Sequence, residues 1–209
     1  MSTSAEKVDR YQVPGVGALV ARGERLVPGT GDQLIRCWPT TDAAYIAYHD
    51  EEWGRPVTSE RGLYERLCLE GFQSGLSWLT ILRKRENFRA AFAGFDPDAV
   101  ARFDARDVER LLGDAGIVRH RGKIEAAIAN AHGVLGLREA AEPLPELMWS
   151  YRDSTESKEL SKRLKAAGFR FVGPTTVYAA MQACGIVNDH LQDCWVCEDV
   201  ERARSTMRL

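Results

Sequence analysis

The sequence has 209 residues, of which 44% are apolar and 28% charged, with a formal net charge of −2 and a pI near 6.1. These values are ordinary for a soluble globular protein long enough to bury a core, and they do not indicate general nucleic-acid binding, although a local basic patch is enough for it. No apolar run approaches the ~18 residues of a membrane span, and the N-terminus lacks an apolar signal core. We therefore expect a cytoplasmic protein without membrane contact, whose five cysteines are metal ligands or free thiols rather than disulfides.

The chain divides into three parts along its length. Glycine and proline punctuate residues 1–33, where no helical periodicity survives, so this part is predicted to be a flexible N-terminal tail. Residues 34–197 are predicted to form the folded domain, and the polar residues 198–209 a C-terminal tail. Apolar residues of the domain recur at helical spacing, without a strand pattern of useful length or an internal repeat. The sequence predicts an all-α chain.

Capping residues mark several predicted helix starts. Ser59 precedes an apolar helical stripe and can cap it. Asp96 and Pro97 combine an N-cap with a first-turn proline, and Asp104 with Asp107 fits a capping box. These signals predict where the helices begin.

Residues 69–78, with the sequence LEGFQSGLSW, are the stretch around which the domain is organised. A carboxylate at Glu70, an amide at Gln73 and an indole at Trp78 stand beside glycines that allow close backbone approach. A purine needs hydrogen bonds at its edge and an aromatic plate for stacking, so the stretch is typical of a base pocket. The alternative is a helix corner with a surface carboxylate and a core tryptophan.

A glycine turn with Gly113 and Gly116 leads directly into Arg119, Arg121 and Lys123 at the start of the next predicted helix. Exposed backbone N–H groups, a helix dipole and three cations together favour a phosphate. An ordinary αα-hairpin with a solvated basic end fits the same pattern, and the spacing alone does not separate the two.

Four residues near the two ends of the domain can ligate a metal. His190 and Cys194 are four residues apart and would share one face of a helix, and Cys37 and His49 would complete a closed Cys2His2 set of the kind that structural zinc prefers. A buried cysteine and a surface histidine are the alternative. Cys197 forms a CxxC pair with Cys194 and is a rival ligand or redox partner, but the βαβ pattern usual beside a redox CxxC is absent.

Five motifs, taken in this order, resemble the DNA-3-methyladenine glycosylase type I family of base-excision enzymes. They are YIAYHDEEWG at 45–54, LEGFQSGLSW at 69–78, RHRGKI at 119–124, GFRFVG at 168–173 and QACGIVNDH at 182–190. The resemblance runs from about Cys37 to Cys194. It implies a helix–hairpin–helix glycosylase fold of two helical lobes, with the hairpin motif at about 104–135. It also implies a structural Zn²⁺ on Cys37, His49, His190 and Cys194 that joins the chain ends.

The resemblance also assigns the pocket. Glu70 matches the family's pocket carboxylate, Tyr48 and Trp78 match its aromatics, and Trp38 and Trp53 fit the aromatic wall. The turn of residues 113–119 matches the DNA-backbone anchor, which in related folds can also hold a monovalent cation. Two features depart from the family pattern. Cys37 is followed directly by Trp38, where the family usually has one more residue between the cysteine and the tryptophan. The segment 152–156 is shorter than the corresponding loop in most relatives.

The expected activity is the hydrolytic removal of N3-methyladenine from alkylated double-stranded DNA by a monomer. No lysine is placed as a Schiff-base nucleophile, so strand cleavage is not expected. Three alternatives stay open: a damage-binding protein without excision, an interaction module based on Cys194 and Cys197, and excision of a different or bulkier alkylated base.

Overall fold

The computed structural model describes residues 34–208, and the predicted tail 1–33 lies outside the described residues. This part of the chain is helical and contains no strand, which confirms the all-α prediction for it. Its helices are α1 Ala43–Ala47, α2 Glu60–Gln73, α3 Trp78–Ala91, α4 Pro97–Val100, α5 Ala105–Gly113, α6 Arg121–Glu139, α7 Leu144–Trp149, α8 Ser157–Ala166, α9 Pro174–Ala183 and α10 Cys197–Thr206. A π-helix over Tyr48–Glu52 follows α1, and a 3₁₀ turn over Ala93–Phe95 follows α3. None of these helices is long and apolar enough to cross a membrane.

The predicted capping signals are confirmed as helix starts. The Ser59 side chain accepts a hydrogen bond from the N–H of Gly62 at the start of α2. Both reciprocal bonds of the Asp104–Asp107 capping box are present at α5. Each cap satisfies backbone donors that the first helical turn leaves without a partner.

Helix α2 lies at the centre of the fold and packs against α3, α6, α7 and α9. Leu63, Leu67 and Phe72 are buried along it. Because neighbours surround α2, its polar residues Glu70 and Gln73 are buried as well. Burial of an acid and an amide on the central helix is what creates the candidate site.

The C-terminal residues differ from the predicted polar tail, since residues 197–206 form α10. The helix docks through Arg204, which is only 2% exposed and donates hydrogen bonds to the carbonyls of Gly185 and Ile186. Arg204 also pairs with Asp153 in the short segment 152–156. Because α10 docks through a buried, paired guanidinium, its sequence shows no apolar stripe. The helical periodicity of apolar residues therefore did not predict this helix.

Candidate metal centre and base pocket

The four predicted metal ligands lie together. Ligand atoms of Cys37, His49, His190 and Cys194 all fall within 4.8 Å of one another. Cys37 Sγ lies 3.2 Å from His190 Nδ1, and Cys194 Sγ lies 3.5 Å from both His49 Nε2 and His190 Nδ1. A tetrahedral zinc ion with bonds of about 2.0–2.3 Å separates its ligands by roughly 3.3–3.8 Å, so the spacing fits such an ion.

The second nitrogen of each histidine ring has a hydrogen-bond acceptor. His49 Nδ1–H donates to Asp50 Oδ1 at 2.7 Å, and His190 Nε2–H donates to the carbonyl of Trp53 at 3.1 Å. Arg36 holds the Asp50 carboxylate with bonds of 2.7–3.1 Å. Acceptors on the outer nitrogens leave the inner nitrogens unprotonated and aimed at the thiols, which is the arrangement of a metal-ligating histidine.

The structure differs from the predicted cluster in two details. His190 and Cys194 lie in turns rather than on a helix, and the chain reversal between them still brings their side chains together. Cys197 lies outside the cluster, where its sulfur is 4.0 Å from Asn188 Nδ2. His49 lies on the π-helix, a form that is often found at functional sites.

An aromatic cluster adjoins the four ligands. The ring centroids of Trp38 and Tyr45 are 5.2 Å apart, those of Trp38 and Trp53 5.0 Å, and those of Tyr48 and Trp78 5.2 Å. Trp38, whose position after Cys37 departs from the family pattern, is buried in this cluster, and Trp53, the other predicted wall residue, is half-buried beside it. The structure thus brings the predicted aromatics together.

Glu70 is buried beside these rings. Desolvation raises the pKa of its carboxyl to about 8, against the opposing charge of Arg66. The Glu70 charge also contributes to the raised pKa values of Tyr45 and Tyr48, whose largest cause is burial. Arg66 donates to Glu52 at 2.9 Å rather than to Glu70. The pocket carboxyl therefore has a nearby cation without a fixed ion pair to it.

Three buried donors around the pocket have no hydrogen-bond partner among the described residues: Trp38 Nε1, Trp78 Nε1 and Arg66 Nη1. Buried polar groups are nearly always satisfied, because an unpaired one costs about 1–3 kcal/mol. Three such groups next to a protonatable carboxyl indicate a site that is completed by a ligand.

Gln73 ends α2 and is buried, and the next residues turn sharply into α3 with Gly75 at φ 79°. Lys123 reaches across to this turn. Its ammonium donates to the carbonyls of Phe72 at 2.9 Å and Ser74 at 2.6 Å, and burial lowers its pKa. The Lys123 side chain thus points into the protein, which argues against the predicted phosphate contact without testing DNA binding.

The remaining anchor residues lie in the turn between α5 and α6. Gly113 has open space at its Cβ position, and Gly116 approaches Asn87 closely. Arg119 and Arg121 are exposed, and Arg121 pairs with Glu109 at 2.5 Å. The predicted helix–hairpin–helix at 104–135 corresponds to α5, this turn and part of α6. Its binding of DNA stays a prediction.

Three residues of the site were not selected from the sequence. Tyr45 belongs to the aromatic cluster, Arg66 lies near Glu70 and Tyr48, and Asp50 holds His49. An acid directly after a candidate ligand histidine is a signal for Asp50. Arg66 carries no such signal, since its burial depends on packing between helices.

The fold and site define a helical protein in which a buried carboxyl lies beside a cluster of aromatic side chains. Comparison with known proteins agrees, since the family described as methyladenine glycosylase matches residues 38–198. DNA-3-methyladenine glycosylase 1 of Escherichia coli is 49% identical over 179 residues, covering 77% of this chain and 96% of that relative. The corresponding enzyme of Haemophilus influenzae is 43% identical over 177 residues, covering 76% and 96%.

A solved structure is also similar. The 3-methyladenine DNA glycosylase I of Staphylococcus aureus, solved to explain its recognition of 3-methyladenine, has a TM-score of 0.72 at 38% identity and covers 75% of this chain and 92% of that one. The chain belongs to the methyladenine glycosylase family. The resemblance inferred from the five motifs is confirmed.

Proposed function

We propose that the protein is a monofunctional DNA glycosylase that turns an alkylated nucleotide out of double-stranded DNA and hydrolyses its bond to 3-methyladenine in base-excision repair. The observation that carries the proposal is the buried Glu70 carboxyl among aromatic rings and unpaired donors. Relatives named for this activity cover most of the chain.

The substrate chemistry suits this pocket. Adenine alkylated at N3 is formally cationic in DNA, so its glycosidic bond is weak and the base leaves neutral. The pocket needs to bind the base and admit water rather than supply strong acid catalysis. A cationic ring stacked on Trp78 and Trp38 gains about 1–2 kcal/mol through cation–π attraction when it is desolvated.

Glu70 adds electrostatic discrimination to stacking. In the unliganded protein burial raises its pKa to about 8, and a cationic base beside it favours the ionised form, because an opposite charge lowers the pKa of a carboxyl. The carboxylate then accepts hydrogen bonds from the adenine edge. A neutral adenine gains less from this charge, which gives selectivity for the alkylated base.

Strand cleavage is not part of the proposal. Lys123, whose ammonium lies at the pocket turn, is engaged with two backbone carbonyls. A Schiff-base nucleophile must be free to attack the sugar. We therefore assign water as the nucleophile.

We propose that Cys37, His49, His190 and Cys194 hold Zn²⁺. Bound there, a closed Cys2His2 ion stabilises the fold and offers no open position for catalysis. Cys37 and His190 lie 153 positions apart in the sequence. A metal bound by both residues therefore fixes the two ends of the domain to each other. We also retain the expectations of a monomer, of DNA-backbone contacts by Gly113, Gly116, Arg119 and Arg121, and of a monovalent cation at that turn.

The test is base release from methylated duplex DNA, identified by chromatography. The wild type is expected to release 3-methyladenine, and Glu70→Gln is expected to slow release by roughly 100-fold, in the range found when one stabilising group of an active site is removed. Glu60→Gln is the matched control, because Glu60 begins the same helix and pairs with Arg138. Absence of any released base from folded wild-type protein would overturn the proposal, and release of a different base would revise the substrate.

A further inference from the structure

Phe171 is exposed at the surface, and its backbone has a conformation that is unfavourable for residues other than glycine. Its side chain is 38% exposed, and its φ is 54°, in the left-handed region that suits glycine. Exposure of a large apolar ring and a strained backbone both cost free energy, and strain of this kind concentrates at functional sites. The residue lies in the GFRFVG motif, which the pocket and the metal centre leave without a role.

The segment around Phe171 is fixed from both sides. Asn130 is buried on α6, accepts from the N–H of Arg170 at 2.7 Å and donates to the Arg170 carbonyl at 3.2 Å. Ser161 Oγ donates to the Val172 carbonyl at 2.6 Å. Phe169 and Val172 are buried, whereas Arg170 and Phe171 between them are exposed. The exposed position is therefore built into the fold.

Phe171 lies between the pocket helix and the start of α6. A Cβ on Gly71, the residue after Glu70, would lie 3.3 Å from the Phe171 Cβ. The ring centroid of Phe171 is 6.3 Å from that of His120, the N-cap of α6. The Cβ and carbonyl of Phe171 thus border the helix that carries the pocket carboxyl, and its ring lies against the basic turn before α6.

Two exposed cations flank this aromatic pair. Arg119 precedes His120 and Arg170 precedes Phe171, and neither arginine forms an ion pair within residues 34–208. Nearby Arg121 differs, since it pairs with Glu109. Unpaired arginines beside an exposed aromatic ring are the combination that binds a nucleic-acid strand, with cations on phosphates and the ring on a base or sugar.

We propose that Arg119, His120, Arg170 and Phe171 form the surface that holds the DNA strand beside the nucleotide in the pocket. The Phe171 ring packs against a base or sugar of that strand, and Arg119 and Arg170 contact phosphates. The inference rests on the proposed glycosylase function, because continuity with the pocket through Gly71 identifies the occupant as the strand that carries the lesion.

The first experiment compares Phe171→Gly with the wild type. Binding to duplex DNA that contains a stable abasic-site analogue is measured by fluorescence anisotropy, and binding of free 3-methyladenine by tryptophan fluorescence. We expect DNA affinity to fall roughly tenfold, in the range of base–aromatic contacts, and affinity for the free base to stay within about twofold. Thermal stability should be unchanged or higher, because glycine suits a positive φ. Ile35→Ala, an exposed apolar residue near the metal ligands, is the control and should leave both affinities unchanged.

The second experiment measures the salt dependence of DNA binding. Replacement of Arg119 and Arg170 by alanine should reduce the slope of log affinity against log salt by roughly 0.9 for each lost phosphate contact. Arg102→Ala is the matched control, because Arg102 is exposed and follows α4, whose Asp98 pairs with Arg138 at the other end of α6. An unchanged slope in the double variant would contradict the phosphate contacts.

The outcomes separate the surface from the proposed activity. DNA affinity of Phe171→Gly within twofold of the wild type overturns the surface, even if the wild type releases 3-methyladenine. A parallel loss of affinity for DNA and for the free base also overturns it, since Phe171 would then shape the pocket through Gly71. If the wild type releases no base, the activity fails, while a selective loss of DNA affinity in Phe171→Gly still supports the surface.

Discussion

The metal-ligand cluster and the base pocket are neighbours that share Trp38 and Trp53 as packing partners, yet they satisfy their polar groups in opposite ways. In the cluster, both outer histidine nitrogens have acceptors at 2.7 and 3.1 Å. In the pocket, Trp38 Nε1 and Trp78 Nε1 have no hydrogen-bond partner within residues 34–208, and desolvation raises the pKa of Glu70 to about 8.

We expect this difference to separate a structural site from a reactive one. A cluster whose surroundings are fully bonded is fixed in place and adds rigidity. In a pocket with unpaired donors and a protonated carboxyl, those donors lack hydrogen-bond partners within the described part of the free protein. A bound base would supply those partners. The two regions therefore respond differently to chemical change, which allows the comparison to be tested.

Metal removal should have the largest effect. Structural zinc contributes folding free energy directly, so chelation or Cys194→Ala is expected to cost several kcal/mol and to lower Tm by about 10 °C or more, at roughly 2–4 °C per kcal/mol for a chain of this size. Calorimetry together with metal analysis measures both consequences. Cys197→Ser is the control and should keep one metal per chain, because its sulfur lies outside the cluster.

A Tm that does not respond to chelation would break the comparison, since the cluster would then be an ordinary set of buried side chains. Loss of metal in Cys197→Ser would instead show that the CxxC pair contributes a ligand.

The pH dependence of stability should report on Glu70. A carboxyl whose folded pKa is about 8 and whose unfolded value is near 4.3 favours the folded state fully only below the unfolded value. Its contribution is lost as the pH rises towards 8. Glu70→Gln removes this loss. The difference in unfolding free energy between the variant and the wild type should therefore favour the variant more at pH 8 than at pH 4.5, by an amount on the order of a few kcal/mol.

Urea unfolding of both proteins at the two pH values measures this change. Glu60→Gln, at an ion pair on the same helix, should not produce the same pH-dependent gain. An equal stability difference between Glu70→Gln and wild type at both pH values would show that the pocket carboxyl is ionised in the folded protein.

A smaller effect is expected at the pocket turn. Lys123→Met should destabilise the protein by about 1–3 kcal/mol, because it leaves the buried carbonyl of Phe72 and the carbonyl of Ser74 without their charged donor. Lys158→Met, at an exposed position on α8, should change stability by less than about 0.5 kcal/mol.

The salt slope of DNA binding completes this test. Because the Lys123 ammonium points into the protein, Lys123→Met should leave the slope unchanged. A slope reduced by roughly 0.9 would restore the phosphate contact that the sequence predicted.

Local patterns in the sequence determined the helix starts and the identity of the reactive groups. Ser59 and Asp104 cap helices through bonds to residues two or three positions away, so their effect is visible in a short window. The order of five motifs was also specific enough to identify the family. These motifs include the two ligand histidines and most of the pocket aromatics, while Cys37, Trp38 and Cys194 lie outside them.

Tertiary structure decided where each side chain points. Lys123 is bonded to a carbonyl 51 positions earlier, and Arg204 is buried against Asp153 at a separation of 51. From the sequence alone, both residues resemble solvent-exposed cations, because a cation has the same charge and the same sequence spacing whether its side chain lies at the surface or is buried. The unpaired donors of the pocket and the outward ring of Phe171 likewise depend on which helices surround them. Contacts between distant segments set burial, and burial sets the pKa values and unpaired groups that give this site its chemistry.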